Sequence, residues 1–325
     1  MVSSFKHIYR QLIVLITFLF AACHGSTQPE REDNITSQFW SISKAGQPVS
    51  YLVGSLHFGK EDSVLPPHIQ NTVQEVDTVY SEVLFPEDPQ HPTDPDYLLF
   101  LNKMFDQQSG RTLSDKIGKE RFKKVKEFCL SIAKEKNIPI DINKLEKMEP
   151  WILPLYLQQL LIQKNFTNNK GVDQLIINQA RQSNKKIKGL ESHMFRYYIL
   201  KDKPLYLIKN DIDQIVNNPL LAESSMRQMY YIYHSKTDLH TIDAAIHPEN
   251  NPFSYVLLGQ DGIASAQWLR EELLKKRNQH WMPVLLKELP QHKNLYVVGL
   301  LHLYGTDGLI HQLRKAGYTV TALTP

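Results

Sequence analysis

Six polar residues have side chains suited to acting together in chemistry. His57, Glu82, Glu191 and His302 close strand-like segments, and Arg277 with Asn278 lies just ahead of the last helix and strand. Two neutral imidazoles and one or two carboxylates make a ligand set for a divalent ion such as Zn2+, Mn2+ or Co2+, with positions left for water. His57, Glu82 and His302 are the expected ligands. An ion so held polarises a carbonyl and lowers the pKa of bound water to about 7, which suits amide or ester hydrolysis. A carboxylate outside the coordination sphere serves as general base, and Arg277 or Asn278 stabilises the developing oxyanion. Glu82, Glu191, Arg277 and Asn278 are therefore the candidate catalytic residues. Each has a plainer reading: Glu82 paired with a lysine, Glu191 capping the helix that follows it, and Arg277-Asn278, coming after Lys275-Lys276, forming a solvated helix end.

The elements that must bring these residues together are two similar stretches near opposite ends of the chain, Tyr51-Leu-Val-Gly-Ser-Leu-His57 and Tyr296-Val-Val-Gly-Leu-Leu-His302. Each is an apolar, β-branched run that reads as a buried strand, with a glycine and, three residues on, a histidine. Their repetition predicts two strands of one sheet delivering imidazoles to the same edge, where open α/β sheets place their ligands. The glycine, lacking Cβ, admits a backbone, ion or substrate beside the histidine.

Around these runs the pattern is α/β. Phe39–Ser43 and Pro48–Val53 read as an opening hairpin across the turn Lys44-Ala-Gly-Gln. Pro66-Pro67 starts a helix carrying Ile69, Val73 and Val76, and Thr78–Leu84 is a strand bearing Glu82. Strand, helix and strand in that order predict parallel neighbours for the strands of His57 and Glu82. An acidic, proline-punctuated loop from Pro86 to Asp96 leaves the sheet at this edge. Residues 97–184 and 194–290 are mostly helical, so a large helical insertion is expected between the two Gly-x-x-His halves. Within it Gly171-Val-Asp173 heads a helix, with Asp173 as cap or first-turn acid. Lys185–Glu191 reads as another strand. Tyr197, Tyr198, Tyr230, Tyr231 and Tyr233 are expected to pack with their hydroxyls at the surface. An amphipathic helix over Ala264–Lys276, a link to Trp281 and a segment over Pro283–Leu289 precede the strand Leu295–Leu301. A helix from Asp307, ended by Gly317, and an edge strand from Tyr318 close the chain. The expected fold is a mixed, mostly parallel central sheet flanked by helices.

Gly54-Ser-Leu-His57, Glu82, Gly299-Leu-Leu-His302, Gly305-Thr-Asp-Gly308-Leu and Ala316-Gly-Tyr-Thr-Val320 resemble, in order and spacing, the TraB/GumN family, whose animal relatives include the Tiki proteases. The resemblance runs from about Gln38 to the C-terminus. Arg277-Asn278, Pro150-Trp151, Gly171-Val-Asp173 and Leu190-Glu191 look like that family's Arg-Asn, Pro-Trp, Gly-x-Asp and Leu-Glu elements. The resemblance implies a fold of the erythromycin-esterase and ChaN-like α/β group and, through the Tiki relatives, metal-dependent proteolysis.

Composition narrows the rest. With 325 residues and 42% apolar content the chain can bury a large core, and a net charge of +3 with intermixed signs gives no footprint of a nucleic-acid binder. Walker, Gly-x-Gly-x-x-Gly, His-Glu-x-x-His and Gly-x-Ser-x-Gly motifs are missing. Residues 1–23, with Lys6 and Arg10 before the apolar run Leu12–Phe20 and Ala21-Ala22-Cys23, read as a secretory signal whose cysteine resembles a lipobox. Residues 24–37 read as a polar tether, and 38–325 as a single domain. These features predict export to the periplasm or outer membrane of a Gram-negative bacterium, with a lipid anchor and a peptide or small-molecule substrate. Cys129 falls on the apolar side of a helical pattern and reads as core. The expected function is a metal-dependent hydrolase, most simply a peptidase. The alternative is a non-catalytic envelope lipoprotein binding a metal or haem through His57 or His302.

Overall fold

The computed structural model of the protein describes residues 38–323 except 85, 88–91, 106–108, 235–241 and 243–245. The signal and tether read over residues 1–37 therefore lie outside the described residues. Six strands form one sheet: β1 (Phe39–Ser43), β2 (Ser50–Ser55), β3 (Thr78–Ser81), β4 (Lys186–Gly189), β5 (Asn294–Gly299) and β6 (Thr319–Ala322), in the order β4-β3-β5-β2-β1-β6. The first four in that order run parallel, and β1 and β6 join antiparallel, with β6 at the edge. The architecture is the expected mixed α/β sheet flanked by helices.

One expectation about the sheet is corrected. β2, α1 (Pro67–Glu75) and β3 do make a parallel crossover, but β2 and β3 are not neighbours, because β5 lies between them and pairs with both. The crossover skips one strand position, and a segment some 200 residues later in the chain fills it. The registers Ser55↔Gly299, Ser81↔Val297 and Ser81↔Gly189 bring the ends of all four parallel strands to one edge.

Alternation along the strands builds two cores. Leu52, Tyr80, Tyr296 and Val298 face one side, and Val53, Val79, Leu295 and Val297 the other. Between β3 and β4 the chain forms α2 (Pro95–Lys103), α3 (Leu113–Ile117), α4 (Lys119–Lys136), α5 (Ile142–Glu146), α6 (Leu153–Asn165) and α7 (Val172–Gln182). Between β4 and β5 come α8 (His193–Lys201), α9 (Leu205–Asn217), α10 (Pro219–His234), α11 (Pro252–Trp268, broken at Gly259), a π-helical segment Leu269–Lys275, and α12 (Lys276–Glu288). α13 (Leu309–Lys315) follows β5. α1 and α7 cover the second face, while α12 and α13 cover the first. Helices α2 to α10 share a third core that reaches the strand ends through Leu56 and Phe58, and Cys129 is buried inside it. Among the described residues no helix is long and apolar enough to cross a membrane.

Three local expectations change. Residues 276–281, read as a link, are helical and continuous with the π segment, and Pro283 lies inside α12. β3 is shorter than its apolar run because Ser81 Oγ turns to the Val83 carbonyl at 2.7 Å. Tyr233 does not present its hydroxyl to solvent: it is buried and donates to the Gly54 carbonyl at 2.7 Å, tying α10 to β2.

Candidate active site

All six sequence-derived residues meet at the carboxyl edge of the sheet. His57 lies two residues past β2, Glu82 one past β3, Glu191 two past β4, and His302 at the end of a 3-10 turn (Leu300–His302) that follows β5. All four are buried. His302 is thus one turn beyond its strand instead of at its end. Arg277 and Asn278 reach the same place from α12, each 1% exposed, which rules out the solvated helix end. Glu191 does not cap the next helix, since the Ser192 side chain accepts from Phe195 N.

Each imidazole is fixed through Nδ1. The Asp173 carboxylate can only accept, so His57 Nδ1 carries the proton and donates to Asp173 Oδ2 at 3.1 Å, leaving Nε2 bare. His302 Nδ1 donates to Asn278 Oδ1 at 2.8 Å, while Asn278 Nδ2 donates to the carbonyls of His302 and Asp307 at 3.0 and 2.8 Å. The two Nε2 atoms face one carboxylate oxygen: Glu82 Oε1 lies 3.9 Å from His57 Nε2 and 3.8 Å from His302 Nε2. That oxygen also accepts from Gly299 N at 2.7 Å. The two glycines differ in purpose. A Cβ on Gly299 would stand 3.3 Å from Glu82 Oε1 and 3.4 Å from His57 Nε2, so this glycine admits the site's own groups. Gly54 instead faces Leu300 and Leu303, with a Cβ meeting Leu300 Cδ1 at 2.7 Å, so it serves packing and no ion or substrate approaches it there.

Arg277 lies across the group. Nη2 donates to Glu82 Oε2 at 2.6 Å and Glu191 Oε1 at 2.7 Å, Nε to both Glu191 oxygens, and Nη1 to His302 Nε2 at 3.1 Å. Trp281 Nε1 donates to Glu191 Oε2 at 2.8 Å, and the Trp281 ring lies against the guanidinium and the His302 ring. Glu191 thus spends both oxygens on Arg277 and Trp281, and Asn278 spends its amide on His302 and a carbonyl. Neither is placed as expected, Glu191 to accept a proton or Asn278 to meet an oxyanion.

The electrostatics follow. Burial opposes ionisation of Glu82, but Arg277, His302 and His57 outweigh it and hold its carboxyl well below the usual range. Burial, reinforced by Arg277, pushes His302 down to about 3 and keeps it neutral. For His57, burial also opposes protonation, but Asp173 and Glu82 prevail and its pKa is raised.

As metal ligands, these donors fit in type. Two Nε2 lone pairs backed on Nδ1 by a carboxylate and an amide, facing a third oxygen, are how metal-binding histidines are oriented. They are not drawn together, however. Ligand atoms sharing one tetrahedral Zn2+ lie roughly 3.3 Å apart, and among the described residues no group of three or more His, Cys, Asp or Glu is close enough to hold an ion. To hold an ion, the ring nitrogens would have to close on Glu82 and Arg277 would have to release His302 Nε2, which it meets at 3.1 Å.

Sequence reading missed three members. Asp173 is in the first turn of α7 as expected, but its reach to His57 depends on Gly171, whose absent Cβ would meet the His57 backbone at 2.6 Å, and on Val172 N donating to the Leu56 carbonyl. The Gly-x-Asp spacing held that signal. Trp281 carried none beyond its position four residues after Arg277. Arg196, on α8, also lines the cleft beside His57, Glu82 and Asp173.

The family model of the TraB/PrgY/gumN family matches residues 38–322. Among curated proteins, the metalloprotease TIKI1 of Danio rerio is 24% identical over 89% of this chain, which spans 63% of that protein's length. The uncharacterized protein YbaP of Shigella flexneri is 24% identical and that of Escherichia coli K12 23%, each over 93% of this chain and 99% of the relative. No solved structure matches the chain. With a family model covering nearly every described residue, this chain belongs to the TraB/PrgY/gumN family.

Proposed function

We propose that the protein is a metal-dependent hydrolase of peptides in the bacterial cell envelope. The observation that carries this reading is the pair of Nε2 atoms turned to one carboxylate oxygen, His57 backed by Asp173 and His302 by Asn278, facing Glu82 Oε1 at 3.9 and 3.8 Å. His57, Glu82 and His302 would hold a divalent ion, Zn2+, Mn2+ or Co2+, which when bound polarises the scissile carbonyl and activates water. The relation to a protein named a metalloprotease supports peptides as the substrate class. The N-terminal signal pattern supports the envelope and a lipid anchor.

The chain's own residues divide the remaining work. Asp173 orients His57 through Oδ2, and its Oδ1, buried without a hydrogen-bond partner, is the carboxylate oxygen left open to take a proton. Glu82 and Glu191 have both oxygens engaged. Arg277 positions Glu82 and, once off His302 Nε2, turns Nη1 toward the site, while Glu191 and Trp281 hold the guanidinium. Asn278 fixes the His302 tautomer. The alternative, a non-catalytic protein binding a metal or haem, would use the same Nε2 atoms, of which His302 Nε2 already accepts from Arg277 Nη1.

The test is metal content and peptide turnover of the purified protein against H57A and H302A. Stoichiometric metal, lost in either variant with the fold kept, and turnover of a peptide library by the loaded protein are expected. Metal content unaffected by both substitutions would overturn the ligand assignment, and a loaded protein that cleaves nothing would overturn the hydrolase.

A further inference from the structure

Arg196 is the second buried guanidinium of the site, and unlike Arg277 it is not spent on the protein. It is 2% exposed, and its Nε and Nη2 are both buried without a hydrogen-bond partner among the described residues. Its helix is firmly started: the Ser192 side chain accepts from Phe195 N at 3.0 Å, and Asp96 accepts from His193 N at 2.6 Å and Met194 N at 3.4 Å. The backbone that carries the side chain is thus fixed at a capped helix start. An ionised donor buried and unmet is costly, more so than a neutral one. Nε and Nη2 form one edge of the planar guanidinium, the edge whose parallel N–H groups match the two oxygens of a carboxylate.

The surroundings favour an anion on that edge. Arg196 lines a small cleft, partly open to solvent, together with His57, Glu82, Asp173 and Arg181. Glu82 and Glu191, the acids whose charge reaches Arg196, are hydrogen-bonded to Arg277. Burial and the charge of Arg277 lower Arg196 to about 10, the direction of a cation short of counter-charge.

We infer that the Nε–Nη2 edge of Arg196 is the carboxylate-binding subsite of this cleft, so that the substrates of the proposed hydrolase are peptides carrying a carboxylate near the bond to be cut. The carboxylate is either the peptide's C-terminus or an acidic side chain. The inference rests on the hydrolase reading for its substrate, but not for its test.

The experiment is calorimetric titration of the metal-stripped, full-length protein, where no turnover intervenes. The four probes are acetyl-tetra-alanine as free acid and as amide, and acetyl-Ala-Asp-Ala-amide with its Asn counterpart. At least tenfold tighter binding of the acid member of one pair is expected, and which pair responds assigns the source. R196Q is expected to bring that ratio within twofold. R196K, which keeps the charge but loses the two-pronged edge, is expected to lose at least threefold for the acid and nothing for the amide, and it carries the test if R196Q does not fold. Equal binding of acid and amide in both pairs, or a ratio that survives substitution, overturns the subsite. Discrimination without turnover after metal loading would defeat the hydrolase alone, and turnover without discrimination would defeat the subsite alone.

Discussion

Asn278 holds His302 at two points, accepting from its Nδ1 at 2.8 Å and donating to its carbonyl at 3.0 Å. Ring and backbone are therefore set together by one amide that α12 delivers. N278A would leave the ring free to turn and the His302 carbonyl without its donor, while the Asp307 carbonyl keeps Gln312 Nε2 at 2.7 Å. Metal affinity is expected to fall by about 10- to 100-fold, the usual loss when the group behind a ligating histidine is removed. Competition with a chromophoric chelator reads it, and unchanged affinity would show that the ring needs no such support.

Asp173 does for His57 what Asn278 does for His302, with one difference: its Oδ1 remains open. D173N can still offer an oxygen to Nδ1, so metal binding should drop only a few-fold. Turnover should fall further, by about 100-fold or more, if Oδ1 accepts the proton. The split between the two readouts is the check. A fall in turnover no larger than the fall in loading would confine Asp173 to orienting the ring.

Glu191 and Arg277 form a buried pair in which neither partner has water to fall back on, at 0% and 2% side-chain exposure. Removing one leaves the other as an uncompensated buried group, at a cost of about 3–5 kcal/mol. E191Q and R277M should each destabilise by that order in urea unfolding. The double variant should be markedly more stable than the sum predicts, because it removes both the charge and its need. Additive losses would mean that Trp281, Glu82 and His302 hold Arg277 without Glu191.

The fold and most of the site were legible because they are written locally. An apolar run with a glycine and a histidine three residues on marks the ends of β2 and β5, a glutamate follows β3 and β4, and a parallel sheet gathers such ends at one edge. What was not legible is lateral. Nothing in the run Leu295–Leu301 says that it enters between β2 and β3, since strand propensity carries no information about neighbours. Asp173 finds His57 across 116 residues by way of Gly171, and in sequence it is one more helix-start acid. Arg196 sits in an aromatic-rich helix with no spacing to mark it. Glu191 and Asn278 were recognised as polar groups of the site, but only their partners reveal that they are already occupied.

The two Gly-x-x-His glycines allow the site to be separated from the sheet. Neither has positive φ, so alanine brings no backbone strain at either position, only a methyl group. At Gly54 it would meet Leu300 Cδ1 at 2.7 Å and Leu300 Cα at 3.2 Å, an overpacked contact between β2 and the turn after β5. G54A should cost about 1–3 kcal/mol of stability. At Gly299 the methyl presses on Glu82 Oε1 and His57 Nε2, which must draw together to hold an ion. G299A should therefore leave the melting temperature nearly unchanged and weaken metal binding at least tenfold. Equal stability losses with intact metal binding in both variants would assign the two glycines the same packing role.

The buried histidines make stability depend on pH in opposing directions. His193 is 3% exposed, its Nε2 donates to the Leu84 carbonyl at 3.1 Å, and burial with the charge of Arg196 lowers it to about 4. A histidine kept neutral by folding takes up its proton more readily in the unfolded chain, so its contribution is complete above pH 6.5 and declines as the pH falls toward 4. His302, lowered to about 3, acts in the same sense. The two together can remove several kcal/mol on the order of 1.4 per pH unit per site. His57 works the other way: its raised pKa adds stability that is complete below pH 6.5 and fades as the pH climbs through its folded value. Metal-free protein is therefore expected to lose stability steeply between pH 6.5 and 4 in urea titrations. H193Q, which retains a donor for the Leu84 carbonyl, should flatten that slope by about one proton. D173N should abolish the smaller decline on the alkaline side. An acid limb unaltered in H193Q would mean that another group takes up the proton that drives unfolding.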